Sequence, residues 1–124
     1  MIRKLAVLWG VFFLLGGILG FVPGITKDEM FLGIFMVNTA HGILHLVSGV
    51  IFLVASMLGA KVSRLWFQFF GLFYATLAAI GFKVGNGMIF NLISNNRMDS
   101  WGHAALALIM LTIGFAITAR STTP

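Results

Sequence analysis

The chain has 124 residues, enough for one domain, and 60% of them are hydrophobic while 9% are charged. Because about a quarter of the residues of a soluble domain are charged, this composition excludes a soluble globular protein. The net charge of +5 does not indicate a nucleic-acid partner, since the basic residues are spread along the chain beside the ends of apolar segments. The chain has no cysteine, so any metal ligands would come from His, Asp and Glu.

Four long uncharged runs predict four transmembrane helices, because about 20 residues of helix cross the ~30 Å hydrocarbon core. We expect an all-α membrane protein with spans at about residues 5–22, 38–59, 65–82 and 100–119. No small-x-small cleavage site follows the first run, so it is interpreted as an uncleaved span. Residues 25–37 and 88–93 are apolar but too short to span, and we expect them to lie at the outer interface.

An internal repeat is indicated by two pairs of matching segments. Trp9-Gly-Val-Phe-Phe resembles Phe70-Gly-Leu-Phe-Tyr, and the second helices of the two halves share the pattern Asn-x-x-His/Asp-x-x-x-His. We therefore predict a single four-span domain over residues 1–124, with repeat one at 1–60 and repeat two at 61–124. Each repeat has two spans, so the two helix hairpins are expected to be parallel, with a pseudo-two-fold axis along the membrane normal.

Polar side chains form a stripe in each half of this apolar chain. On a helix, residues three or four positions apart share a face, and polar groups inside a membrane turn inward and pair. We expect His41 to lie near Asp99 and His45 near His103, with an asparagine at the start of each helix. The candidate polar cluster comprises Asn38, His41, His45, Asn96, Asp99 and His103.

These motifs, Val37-Asn38-x-x-His41-x-x-x-His45-x-x-x-Gly49 and Asn96-x-x-Asp99-x-x-x-His103, resemble those of a family of small four-span bacterial membrane proteins described only as a domain of unknown function. The resemblance covers most of the chain and implies four spans, without implying an activity. In that family an Asn commonly follows the first His and the Asp, whereas this chain has Gly42 and Ser100.

The distribution of basic residues predicts the orientation in a bacterial inner (plasma) membrane. Cytoplasmic loops carry more Lys and Arg than outer loops. The richer side also holds both termini, so we expect these to be cytoplasmic. Arg3, Lys4, Lys61, Arg64 and Arg120 fall on this side, and Lys27, Lys83 and Arg97 fall on the other.

Several functions are compatible with the polar cluster. The first is a hydrogen-bonded clamp without a cofactor, in a non-enzymatic structural or accessory protein that contacts the lipid bilayer and acts alone, as a homo-oligomer or in a larger membrane complex. The alternative is a metal held by His41, His45, Asp99 and His103, a haem between two of the histidines, or a pigment on one of them. A small proton-coupled transporter is a third hypothesis. No set of residues in the sequence predicts a catalytic site, so we do not expect an enzyme.

Overall fold

Four helices dominate the computed structural model, which describes residues 1–117. Each helix is long and apolar enough to span a membrane, which agrees with the predicted number of spans. Residues 118 and 119 of the fourth predicted span and Arg120 lie outside the described residues. The helices are α1 (Ile2–Leu19), α2 (Thr39–Leu58), α3 (Ala60–Val84) and α4 (Arg97–Ala116).

The helices include charged residues that the sequence analysis had placed in connections. Residues 60–64 lie between the second and third predicted spans, but they form the first turns of α3. The direction of the chain reverses at Gly59, whose φ of +128° is a conformation that residues with a Cβ rarely adopt. Similarly, α1 begins at Ile2 and α4 at Arg97. A charge ends an uncharged run, but it does not end a helix, because Lys and Arg are good helix formers.

The two connections at the other end of the bundle form short antiparallel strands, which the sequence analysis did not predict. Between α1 and α2 the strands β1 (Thr26–Lys27), β2 (Met30–Phe31) and β3 (Phe35–Met36) form one small sheet in that order. Between α3 and α4 the strands β4 (Gly87–Ile89) and β5 (Ile93–Asn95) form a hairpin. Strand β3 lies beside β5, so the two connections meet above the helices.

The helices pack mainly as two pairs, α1 with α2 and α3 with α4. A glycine permits a close approach in the first pair, since a Cβ added to Gly49 would lie 2.8 Å from the main-chain oxygen of Gly10. The core between the pairs contains aromatic rings, including Phe13, Phe52 and Tyr74, all buried. The outward faces carry many exposed large hydrophobic side chains, as expected for surfaces that contact lipid.

Candidate histidine site

Each of the two helices that carry the polar stripes begins with an asparagine cap. The side-chain oxygen of Asn38 accepts a hydrogen bond from the main-chain N–H of His41 at 2.9 Å, and that of Asn96 accepts one from Asp99 at 2.8 Å. At α4 the Asp99 carboxylate accepts in return from the main-chain N–H of Asn96 at 3.0 Å, which completes a capping box. These bonds satisfy N–H groups that a helix start leaves free.

The same two asparagines also join the two connections. The Asn38 Nδ2 donates to the main-chain oxygen of Leu92, and the Asn96 Nδ2 donates to that of Ile34, each at 2.9 Å. Each cap therefore binds the connection that belongs to the other helix pair. We refer to these two bonds as the crossed asparagine bonds.

His41 and Asp99 lie near each other, but their hydrogen bonds go to the main chain instead of to one another. The Asp99 Oδ2 accepts from the N–H of Met36 at 3.1 Å. The His41 Nδ1 lies 3.1 Å from the main-chain oxygen of Met36 and 3.1 Å from that of Ser94. The direct pair between His41 and Asp99 that the sequence suggested is replaced by a link through Met36 of β3.

The three histidine rings form one cluster. Ring centroids are 4.7 Å apart for His41 and His45, 5.2 Å for His41 and His103, and 6.1 Å for His45 and His103. One ligand atom from each ring lies within 4.8 Å of the others, a spacing from which the rings could converge on a metal ion. His41 and His103 are buried, and His45 is partly buried.

One nitrogen of each ring is buried and has no hydrogen-bond partner within residues 1–117; these atoms are the Nε2 of His41, the Nε2 of His45 and the Nδ1 of His103. For His41 the ring orientation also defines the tautomer. Both partners of its Nδ1 are carbonyl oxygens, which only accept, so Nδ1 carries the hydrogen and donates it. In the neutral ring the lone pair is therefore on Nε2.

A cavity of about 400 Å³ lies next to the histidine cluster. Its lining is almost entirely apolar and comes from α1, α2, α4 and the first connection, including Gly16 on α1, Phe31 in β2 and Phe35 in β3. The polar side chains that reach it are Asp99 and the three histidines. Exposed residues such as Phe12, Leu15 and Ile109 also line it, so the cavity opens on the exposed face of the helix bundle between α1 and α4.

Tyr74 and Ser48 support the histidine cluster from the core. The spacing of Ser48 from His45 indicates that Ser48 belongs to the hydrogen-bond network, whereas the sequence predicts only a local hydrogen bond for Tyr74. The hydroxyl groups of these two residues lie 2.9 Å apart, and Ser48 also donates to the main-chain oxygen of Leu44. The ring of Tyr74 lies 5.4 Å from that of His103 and 5.3 Å from that of Phe13. The sequence signal available for Tyr74 was a hydroxyl group inside a predicted span, where a polar side chain needs a hydrogen-bond partner.

Gly42 and Ser100 occupy positions at which the resembling family commonly has Asn. A Cβ at Gly42 would lie 2.8 Å from the ring of Phe21, so this ring occupies the space that a side chain at position 42 would need. The Ser100 hydroxyl is buried and accepts from the Nδ2 of Asn95 at 3.1 Å. Neither residue adds a hydrogen-bond donor to the histidine cluster.

The four apolar helices and the polar cluster at one end of the bundle fit a small multi-pass membrane protein. The family described as Domain of unknown function (DUF4383) matches residues 3–116. The chain belongs to this family. No curated protein and no solved structure matches the chain.

Proposed function

We propose that the chain is a non-enzymatic structural or accessory protein of the bacterial inner membrane, in which two duplicated helix hairpins are held together by a hydrogen-bonded clamp. The clamp comprises Asn38, His41, Asn96 and Asp99 with their main-chain partners. The observation that carries the proposal is the pair of crossed asparagine bonds, each 2.9 Å long. They join the start of each hairpin's second helix to the connection of the other hairpin.

The positions of these bonds support a duplication. Asn38 follows Ile34 by four residues and Asn96 follows Leu92 by four, so the donor and acceptor exchange places between the two halves. Two bonds at the opposite end of the bundle are also equivalent in the two halves, although each of them stays within its own hairpin. The Arg3 Nε donates to the main-chain oxygen of Ser56 at 2.8 Å, and the Arg64 Nε donates to that of Gly114 at 3.0 Å. Two parallel hairpins related by a pseudo-two-fold axis account for both sets of bonds.

The clamp has a physical use in a membrane because lipid provides no hydrophobic drive for helix association. The main-chain groups of the connections need hydrogen-bond partners wherever they are shielded from water. His41 and Asp99 supply partners to β3 and β5, and the asparagines supply them to the turns. The polar stripe therefore serves the junction of the two hairpins, as a structural role requires.

The exposed apolar surfaces support partners within the membrane. The outward faces of α1 and α4 include the exposed side chains of Phe12, Leu108 and Phe115. We infer that these faces contact the lipid bilayer and permit a homo-oligomer or a larger membrane complex. Extraction in native nanodiscs followed by mass measurement distinguishes the single chain from both assemblies.

The test of the clamp separates helix capping from the crossed bonds. Ser is as good a helix cap as Asn, but its side chain is too short to reach the other connection. We expect Asn96→Ser to lower the free energy of unfolding by about 0.6 kcal/mol, a usual value for a hydrogen bond between membrane helices. Asn96→Ala loses the cap as well and should lower it by roughly 1–2 kcal/mol.

Reversible unfolding in detergent micelles gives these values, with Thr112→Ala as a matched control. Thr112 is exposed on the same helix and its hydroxyl binds only the oxygen of Leu108 in the preceding turn. This control should change the free energy of unfolding by less than about 0.5 kcal/mol. Equal stability of Asn96→Ser and the unchanged chain would contradict the role given to the crossed bonds.

A further inference from the structure

We propose that His41, His45 and His103 form a binding site for one transition-metal ion, with an open coordination position toward the apolar cavity. This inference goes beyond the clamp, because the clamp uses the other nitrogen of His41 and makes no use of His45 and His103. The ion belongs to the class that imidazole nitrogen prefers, which includes zinc, copper, iron and nickel.

The first argument is the presentation of nitrogen lone pairs. The hydrogen bonds of the His41 Nδ1 with the oxygens of Met36 and Ser94 direct the lone pair of the neutral ring to Nε2. Metal-bound histidines commonly have this arrangement, in which a carbonyl or carboxylate holds the second N–H and orients the ring. The Nε2 of His41 and that of His45 are both buried without a partner among the described residues.

The second argument is distance. Three ligand atoms, one from each ring, lie within 4.8 Å of one another. Nitrogen ligands around a tetrahedral ion are about 3.4 Å apart, because each lies at about 2.0–2.1 Å from the metal. Binding of the ion would therefore shorten the largest separation by up to about 1.4 Å, through rotation of the histidine side chains. His41 and His45 are four residues apart on α2, so they already share one face.

The third argument concerns the fourth ligand. Asp99 lines the cavity, but its Oδ2 already accepts the main-chain N–H groups of Met36 and Asn96. The ligand atoms that lie within 4.8 Å of one another come from the three histidines and do not include Asp99. Three protein ligands and one open position are the pattern of zinc sites that bind water or another small ligand. The open position would face the cavity, which the three histidines also line.

The packing of the rings favours an ion over a haem. A haem between His45 and His103 needs its macrocycle in the space that separates these two rings. The centroid of the His41 ring is 4.7 Å from that of His45 and 5.2 Å from that of His103. The His41 ring therefore occupies space that the macrocycle would need. A single ion needs only the nitrogen atoms to converge.

The experiment is a titration of the full chain, purified in detergent and treated with chelator, with Co²⁺ as the probe. Co²⁺ bound by three imidazoles in a four- or five-coordinate site gives visible d–d absorption, and Zn²⁺ should displace it. We expect one equivalent per chain. His45→Gln and His103→Gln should each weaken Co²⁺ binding by more than about 100-fold. Loss of a group that only hydrogen-bonds a metal ligand weakens binding by about 10–100-fold, so a larger effect indicates that a ligand itself has been removed.

Two controls make the outcome decisive. Thr112→Ala should bind Co²⁺ as the unchanged chain does, because Thr112 is exposed and its hydroxyl binds only the oxygen of Leu108. The thermal midpoint of each metal-free histidine variant shows whether it is folded, and a variant that is not folded is replaced by His→Ala at the same position. The absence of stoichiometric binding to the unchanged chain would overturn the site, as would binding that persists in the double variant of His45 and His103. Either result would leave the stability test of the crossed asparagine bonds unaffected.

Discussion

His41 and Asp99 are linked through a single residue of the first connection, since Met36 accepts a hydrogen bond from the ring of His41 and donates one to the carboxylate of Asp99, each at 3.1 Å. In this link the first helix pair contributes His41 and strand β3, and the second helix pair contributes the carboxylate of Asp99. A change in either side chain removes a partner from the main chain of β3. The link is therefore sensitive to substitution at Asp99.

Asp99→Ala should lower the free energy of unfolding by about 3 kcal/mol. The substitution leaves the main-chain N–H groups of Met36 and Asn96 without their acceptor, and a shielded donor left without a partner costs about 1–3 kcal/mol. Ser100→Ala, the next residue on the same helix, should cost about 1 kcal/mol, because the bonds of its hydroxyl are with neutral partners.

Asp99→Asn is the matched variant for this comparison, since an amide keeps one oxygen that can accept both N–H groups. We expect it to be intermediate between the unchanged chain and Asp99→Ala. Unfolding in detergent micelles, followed by circular dichroism, provides the measurement. A midpoint for Asp99→Ala equal to that of Ser100→Ala would contradict the link through Met36.

The number of helices could be predicted from the sequence because hydropathy depends only on residue type. Helical spacing was also enough to place His41 and His45 on one face of α2. The partners of His41 could not be predicted. A periodic pattern places side chains on a face, but it does not indicate which main-chain oxygens a connection brings to that face. Here Met36 and Ser94 supply those oxygens from strands that hydropathy alone does not predict.

The strands themselves depend on unusual turns. Leu32 and Phe90 have φ values of +55°, a region that bulky residues rarely adopt. The residues that follow them, Gly33 with a φ of +72° and Asn91 with a φ of +55°, favour such turns, so each turn contains one residue with a turn preference and one without. The apolar residues on either side of these turns predicted only a segment lying at the membrane interface. Packing of β3 against β5, which the sequence does not indicate, stabilises the strands.

Both termini are expected on the cytoplasmic side, and single cysteines can test this because the natural chain has none. Lys61 and Asn91 are both exposed, and they lie at opposite ends of α3 and its following connection. The excess of Lys and Arg near the Lys61 end predicts that it is inside. A membrane-impermeant maleimide added to intact cells should therefore label Asn91→Cys, whereas Lys61→Cys should react only after permeabilisation.

The two cysteine variants serve as controls for each other, since the orientation requires opposite results from them. Labelling of Lys61→Cys in intact cells, with Asn91→Cys protected, would reverse the orientation. The fold and the histidine site would be unaffected, because both depend on contacts within the chain.

Close packing of α1 and α2 depends on glycine at Gly49, and Gly49→Ala should lower the free energy of unfolding by about 1–3 kcal/mol. The added Cβ would lie 2.8 Å from the main-chain oxygen of Gly10 and 2.9 Å from the main-chain nitrogen of Leu14, so relief requires the helices to separate. Separation is costly because helix pairs in lipid are held by close van der Waals contact.

The matched control is Gly16→Ala on α1, where the nearest atom to the new Cβ is the Nδ1 of His45 at 4.0 Å. Since Ala is a better helix former than Gly, this variant should be as stable as the unchanged chain or slightly more stable. Thermal unfolding of both variants in the same detergent provides the comparison, and equal midpoints would show that the approach of the two helices does not need Gly49.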